Sequence, residues 1–452
     1  MKETSEQTTP VTFSRRGFLR TTGGAMAGGA LLGAIAPERF AHAASGTDEI
    51  KIALIGCGGR GSGAANQALS TYGLGPVKLV AMGDVHEDRL KSSLDNLQKT
   101  HGARVDVPPE RQFLGFDAFQ KAIATCDVAI LSTPPGFRPM MFEEAVKQGK
   151  NIFMEKPVAS DAAGVRKVLA AAEEAKKKNL KVGVGLQRHH QAGYVETIKR
   201  VFDGQIGDVT GMRCYWNGNR PWQMKRADLE KKYGRKLTEM EYQLRNWYYF
   251  TWIGGDHIVE QHIHNIDVIN WVKKGPPVKA HAMGGREFNN GGADDGEIFD
   301  HFAVEFEYED GSICNSFCRH QAVPDWNSVS EHIVGTKGRS DLNGYKIFGE
   351  NQWRFKPDAE PKDPYQQEHD DLFAAIRENK EYNEAFYGAS STMTAILGRM
   401  AAYSGKDISY KAALESKIEL LPQELGWDKP SRVNPGADGM YQRAIPGKTA
   451  VL

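Results

Sequence analysis

Residues 50–55, IKIALI, form an almost unbroken apolar run rich in β-branched side chains, the pattern of a strand buried on both faces of a parallel sheet. The pattern recurs at 77–82, 127–131 and 151–154, each run stopping at glycine, proline or a polar residue. Stretches of helix-compatible composition, such as 64–69 and 142–148, lie between them. Strands alternating with helices predict an α/β fold with a doubly wound parallel sheet, a Rossmann domain over 49–180. A further strand at 181–186 opens a second domain, 181–452, with strand candidates at 211–216, 278–283, 298–308 and 312–319. Helices are expected from 366 to 403, a proline-rich loop over 353–365, and an irregular tail after Leu421 to which the sequence assigns no role.

The start of the chain follows another pattern. Ser14-Arg15-Arg16-Gly17-Phe18-Leu19-Arg20 precedes a Gly/Ala-rich apolar stretch, 23–36, and then Ala41-His42-Ala43 offers a small-residue cleavage site. We read 1–43 as a twin-arginine export signal, which places the mature protein in the periplasm. The apolar stretch is too short and glycine-rich to span a bilayer, and no later segment approaches that length without charges. Substrates of this route cross the membrane folded, commonly with a cofactor inside. The cysteines, Cys57, Cys126, Cys214, Cys314 and Cys318, are odd in number and form no CxxC pair, so a disulfide framework and a zinc ribbon are both disfavoured.

The 57 Lys plus Arg balance 57 Asp plus Glu, and no basic stripe interleaves with aromatics, so nucleic acid is not an expected partner. The chemistry begins where the first strand ends. Gly56-Cys57-Gly58-Gly59-Arg60-Gly61 is a G-x-G-x-x-G between strand and helix, where missing Cβ atoms let backbone approach a pyrophosphate at a helix N-terminus. Asp84 closes the second strand about twenty residues further on, positioned for ribose hydroxyls; its carboxylate repels a 2′-phosphate, so NAD is expected over NADP. Ser132-Thr133-Pro134 and Glu155-Lys156-Pro157 end later strands and should face the same crevice, because ligands bind beyond the carboxyl ends of such strands.

In this order, the glycine loop, the strand-end aspartate, the Thr133-Pro134-Pro135 turn and Glu155-Lys156-Pro157 resemble the Gfo/Idh/MocA (glucose–fructose oxidoreductase/inositol dehydrogenase) family, from about residue 49 to the C-terminus. The resemblance implies a C-terminal α+β domain with a mixed, open-faced sheet, the open face serving subunit pairing in a homo-oligomer. It implies that Lys156 lies between nicotinamide and substrate, polarising the hydroxyl or carbonyl. It further implies that Gln187 sits near the nicotinamide ribose, and that a cis bond at Pro157 aims Lys156.

Gly254-Gly255-Asp256-His257-Ile258-Val259-Glu260-Gln261-His262-Ile263-His264-Asn265-Ile266-Asp267 packs three histidines and three carboxylates into fourteen residues. On one straight helix His257 and His264 would lie ~10 Å apart along the axis, and His262 would point away, which rules out a three-histidine metal site. A metal on Glu260 and His264 with ligands from elsewhere stays open; we expect none. Glu260 and His264, four residues apart, would share a face, with Glu260 orienting a catalytic His264. Glu260, His264 and Asp267 match the family's acid-x3-His-x2-Asp spacing, with Glu in place of the usual Asp. His262, where glycine is common, is expected to be satisfied by its neighbours.

Aromatics crowd the preceding stretch: Trp216, Trp222, Tyr242, and Trp247 to Trp252. Half would serve packing. Arg245, Trp247 and Tyr249 are the candidates for a polyol pocket, rings stacking on sugar C–H faces and polar tips meeting hydroxyls. The expected enzyme moves a hydride between tightly bound NAD and a secondary alcohol of a sugar, glycoside or cyclitol, with a second sugar or a redox partner resetting the cofactor. Two alternatives are an NAD-dependent glycosidase working by transient oxidation and elimination, and a non-catalytic sugar sensor.

Overall fold

The computed structural model describes residues 48–452 apart from 288–291, 322, 324–325, 358–359 and 361. The expected export signal lies outside the described residues. The first half alternates as the apolar runs predict: β1 (Ile50–Ile55), α1 (Gly59–Ser70), β2 (Val77–Asp84), α2 (Glu87–His101), β3 (Gln112–Leu114), α3 (Ala118–Ala124), β4 (Val128–Leu131), α4 (Arg138–Lys147), β5 (Asn151–Met154), α5 (Ala162–Lys177) and β6 (Val182–Val184). The six strands pair in parallel in the order β3-β2-β1-β4-β5-β6. The order reverses between β1 and β4, so the loops after these strands open the crevice where such sheets bind ligands.

One boundary shifts. The strand expected to open the second domain pairs with β5, Ile152 to Val182, and closes the first sheet instead. The reason is the crossover: Asp161 caps α5, accepting from the Gly164 amide at 2.6 Å, and the sixteen-residue helix returns the chain to the edge beside β5.

The second half runs α6 (Ala192–Phe202), β7 (Val209–Gly218), α7 (Arg226–Tyr233), α8 (Glu239–Arg245), α9 (Thr251–Gly254), α10 (His257–Glu260), α11 (Ile263–Lys273), β8 (Lys279–Gly285), β9 (His301–Glu307), β10 (Ile313–His320), β11 (Ser328–Gly335), β12 (Gly338–Asp341), β13 (Lys346–Gly349), β14 (Trp353–Arg354), α12 (Pro364–Arg377), α13 (Ala385–Ser404), β15 (Ile408–Ser409) and α14 (Tyr410–Leu414). The nine strands form a mixed sheet, β14-β13-β12-β11-β7-β10-β9-β8-β15, in which β7 and β10 are parallel and their neighbours antiparallel. β11 to β14 escaped the sequence reading because polar residues break their alternation; buried Glu331 in β11, for instance, pairs with buried Arg188. α11 and the apolar α13 pack on one face, while Arg213, Met283, Val329 and Val334 stay exposed on the sheet.

α12 belongs to the first sheet despite its place in sequence. It packs on α1, and its Leu372, Phe373 and Ile376 join the core of Ile50, Leu54 and Phe153. Burying these three side chains contributes roughly 1.5–3 kcal/mol each. Among the described residues no helix is long and apolar enough to cross a membrane.

Candidate active site

Two glycines set the geometry of the first loop. Gly56 has φ +91°, and a Cβ there would sit 2.6 Å from the Ser132–Thr133 peptide; a Cβ on Gly61 would sit 1.9 Å from the Gly56 carbonyl oxygen. Those contacts press β1, α1 and the turn after β4 together. Gly58 and Gly59 differ, for a Cβ on either meets nothing within 4 Å, and both line the cleft. Gly58 is the N-cap of α1 and offers no side-chain acceptor to the first amides, so they remain available to an anion. Asp84 spans the loop, accepting from the Cys57 amide (2.6 Å) and the His86 amide (2.8 Å). Burial raises its pKa, and those amides partly offset the rise. A bare helix N-terminus beside a fixed strand-end carboxylate fits a dinucleotide.

These residues line a cavity of about 640 Å³ together with Thr133, Pro134, Glu155, Lys156, Trp216, Trp247, Tyr248, Glu260, Gln261, His264 and Tyr365. Arg138, which the sequence reading missed, is buried beneath it and donates to the carbonyls of Thr133 and Pro157, tying together the turns after β4 and β5. Burial pushes its guanidinium down to about 10. Glu155 lines the same cavity and is engaged by Arg60, with which it forms a part-buried ion pair at the cavity wall. The Lys156–Pro157 peptide is cis.

Lys156 projects into the cavity. Its Nζ donates to the main-chain oxygen of Glu260 (2.7 Å) and to Oε1 of the same residue (3.0 Å). Here the structure departs from the expectation that Glu260 orients His264. The segment is not one helix: α10 ends at Glu260, Gln261 and His262 form a turn in which the His262 amide reaches back to the His257 carbonyl (3.1 Å), and α11 starts at Ile263. The four-residue spacing therefore does not place Glu260 beside His264 on one face, and the carboxylate goes to Lys156.

His264 lies buried in the first turn of α11, stacked on Trp216 at 5.8 Å between centroids, with Nδ1 lacking a hydrogen-bond partner. Burial, then the charges of Lys156, Arg188 and Arg60, push its pKa well down, so the ring is neutral. Asp267 serves structure, held by His189 (2.8 Å) and Ser391 (2.8 Å). His262 bonds Ser316 (2.7 Å) in the core. Among the described residues no cluster of three or more side chains could hold a metal.

The substrate-side candidates divide. Trp247 lines the cavity edge, packed edge-on against Trp222. Tyr249 turns into the core and donates to the Pro221 carbonyl (3.3 Å); its neighbour Tyr248 lines the cavity instead, its hydroxyl 3.1 Å from His320 Nε2. Arg245 lines the far end near Asp84, paired with Asp88 (3.1 and 3.2 Å), rather than sitting beside Lys156. Gln187 stands just behind the lining and donates to the Tyr365 hydroxyl (3.2 Å). Tyr248, His320 and Tyr365 were not singled out from sequence. The parallel register of β7 and β10, which brings Trp216 and His320 to one sheet end, is the signal that would have found His320.

Buried neutral histidines give the fold a pH dependence. His264, His320 and His369 are all held well below the ordinary histidine value, and His86 is lowered to about 3, burial being the leading cause each time. The unfolded chain protonates these rings below about pH 6.5 and the native state does not, so stability is full above that pH and falls as pH drops, by up to about 1.4 kcal/mol per pH unit for each ring. His190, raised to about 10 by Asp371 and Glu384 against the downward pull of burial, acts oppositely: its contribution is full below about pH 6.5 and fades toward 10. Denaturant titrations from pH 4 to 9 should therefore show maximal stability near pH 6.5–7 and a steep acid flank.

Comparison with known proteins adds three observations. Residues 50–184 match the Gfo/Idh/MocA family described as "Oxidoreductase family, NAD-binding Rossmann fold", and residues 194–340 match its C-terminal domain; together they cover well over half of the chain. An inositol 2-dehydrogenase of Acidiphilium cryptum is 29% identical over 158 residues, 35% of this chain and 43% of that one, and a "glycosyl hydrolase family 109 protein" of Shewanella baltica is 25% identical over 232 residues, 47% of this chain and 48% of that one. The chain thus spans less than half the length of each of these relatives. The fold is shared with the aldose-aldose oxidoreductase of Caulobacter crescentus, solved with glycerol, at a TM-score of 0.61 and 17% identity over 80% of this chain and all of that one.

Proposed function

The chain belongs to the Gfo/Idh/MocA family of NAD-binding oxidoreductases, and from that premise we propose that it oxidises or reduces a secondary alcohol of a sugar, glycoside or cyclitol while keeping its NAD bound. The observation that carries this reading is the convergence of Lys156 and His264 on the cavity that also holds the glycine loop and Asp84. When bound, the nicotinamide supplies the hydride acceptor or donor. The protein supplies the proton chemistry. Lys156, fixed by two bonds to Glu260, presents an ammonium that stabilises a developing alkoxide oxygen. His264, neutral and lining the cavity beside Lys156 and Glu260, is the residue assigned to accept the hydroxyl proton. Trp216, Trp247 and Tyr248 exclude water and offer ring faces to sugar C–H groups.

The twin-arginine pattern at 14–20 supports export to the periplasm, where free NAD is not expected, so the cofactor stays in place and is reset by a second sugar or a partner protein. We assign subunit pairing to the open face of the nine-stranded sheet. The glycosidase reading has one specific support, the likeness to the family 109 protein. In that cycle oxidation acidifies the neighbouring C–H, the aglycone leaves, water adds, and the hydride returns with no net redox change. A sugar sensor gives no role to the Lys156–Glu260 pair.

A screen separates these readings. Purified holoenzyme is mixed with free sugars, cyclitols and aryl glycosides while the reduced-nicotinamide absorbance and free aglycone are followed together. Lasting absorbance without aglycone is the expected result. Aglycone without lasting absorbance identifies the glycosidase, and saturable sugar binding with neither signal identifies the sensor.

A further inference from the structure

The end of the cleft beyond Asp84 is built by segments remote from the Rossmann motif. His86, Arg89 and Phe116 line it from the first domain, and Arg245 and Leu425 line it from the second half. Asp88, at the start of α2, gathers three groups of the α7–α8 pair: Arg245 through both guanidinium nitrogens (3.1 and 3.2 Å), the Tyr233 hydroxyl (3.2 Å) and Lys232 Nζ (3.5 Å). The Arg245 guanidinium also lies 4.7 Å from the Tyr233 ring centre. Against the upward push of burial, Arg245 and then Tyr233 hold Asp88 down to about 2, so the contact persists across ordinary pH.

The tail supplies the second part. Trp427 lies beyond both family matches, in the stretch that looked irregular and without role, and it packs against His86 (5.6 Å) and Phe116 (5.0 Å). His86 itself carries a buried Nε2 with no hydrogen-bond partner. The imidazole and phenyl rings of His86 and Phe116, with the Trp427 indole packed against both, make a wall whose ring surfaces suit a flat heteroaromatic ring such as adenine.

We propose that the Asp88–Arg245 contact and the Trp427 segment form a clasp over the adenosine half of the dinucleotide site, making the cofactor a retained group rather than an exchanging co-substrate. The proposal rests on the reading of the cleft as a dinucleotide site and concerns its release, not the sugar chemistry. The clasp bridges the two halves of the chain through an ion pair and the tilted ring contacts of Trp427, so release requires breaking both.

The test loads full-length protein with NADH, dilutes it into excess NAD, and follows loss of bound-nicotinamide fluorescence; no sugar is present. Wild-type release should be slow and should quicken with added salt. Arg245→Ala and Trp427→Ala should each speed release at least tenfold, and release from Arg245→Ala should respond less to salt than release from wild type, the Lys232–Asp88 pair remaining. The exchange Asp88→Arg with Arg245→Asp should restore slow release, and Asp88→Asn should reproduce Arg245→Ala if the latter fails to fold. Equal release rates in wild type and in all folded single variants would overturn the clasp while leaving the oxidoreductase reading intact. A protein that takes up no NADH at all would overturn both.

Discussion

Lys156→Met lowers turnover about a thousandfold while dinucleotide binding and the fold survive; that is the expected outcome for the residue whose cation meets the reacting oxygen. The structure also shows how this result could mislead. Lys156 is the partner of a Glu260 carboxylate whose side chain is only 14% exposed, so removing the lysine alone leaves a poorly solvated charge and costs about 1–3 kcal/mol of stability. Lys156→Met with Glu260→Gln removes the charge along with its partner. The double variant should recover the lost melting temperature and recover none of the turnover. Glu260→Gln alone keeps the main-chain acceptor at 2.7 Å and should retain measurable activity. The assay is kcat on whichever sugar the screen returns, alongside NAD titration and thermal unfolding. Near-normal kcat in Lys156→Met would remove the lysine from the chemistry.

Gly61→Ala should abolish NAD binding and lower stability together, by about 1–3 kcal/mol or more, because the new methyl would lie 1.9 Å from the Gly56 oxygen and would pry α1 from the end of β1. Gly58→Ala meets open space on the protein side and faces the cleft, so its melting temperature should stay near wild type while NAD affinity falls about a hundredfold. The contrast is the informative part. One substitution breaks the cradle, the other fills it. Calorimetric titration with NAD and thermal melts on both variants read the two effects separately; equal losses of stability would contradict the distinction.

The dinucleotide half was legible because its signals are local. The glycine loop, Asp84 and the turns at Thr133 and Lys156 each follow a short buried strand, and the topology of such sheets delivers strand ends to one crevice. The second half was legible only in outline. Assigning Glu260 to His264 required an unbroken helix, but the His262 amide bonds the His257 carbonyl five residues back and the Gln261 side chain is drawn to His320 (3.1 Å), which interrupts it. Arg245 stood among aromatics and read as a sugar contact; its partner Asp88 lies 157 residues away, beyond any local pattern. Tyr248 and Tyr249 are adjacent in the chain, and which one faces the cavity depends on a short 3₁₀ turn that composition does not encode.

The return of α12 to the first sheet bears on how the protein is made. Its Leu372, Phe373 and Ile376 cover the flank of Ile50, Leu54 and Phe153, and β6 is bridged at Val182 by Asn383. During vectorial synthesis that flank stays uncovered until the ribosome has delivered some two hundred residues beyond β6. The nucleotide half is therefore a discontinuous folding unit of high contact order, unable to finish its core before the rest of the polypeptide exists, and cofactor loading becomes a late event in biogenesis.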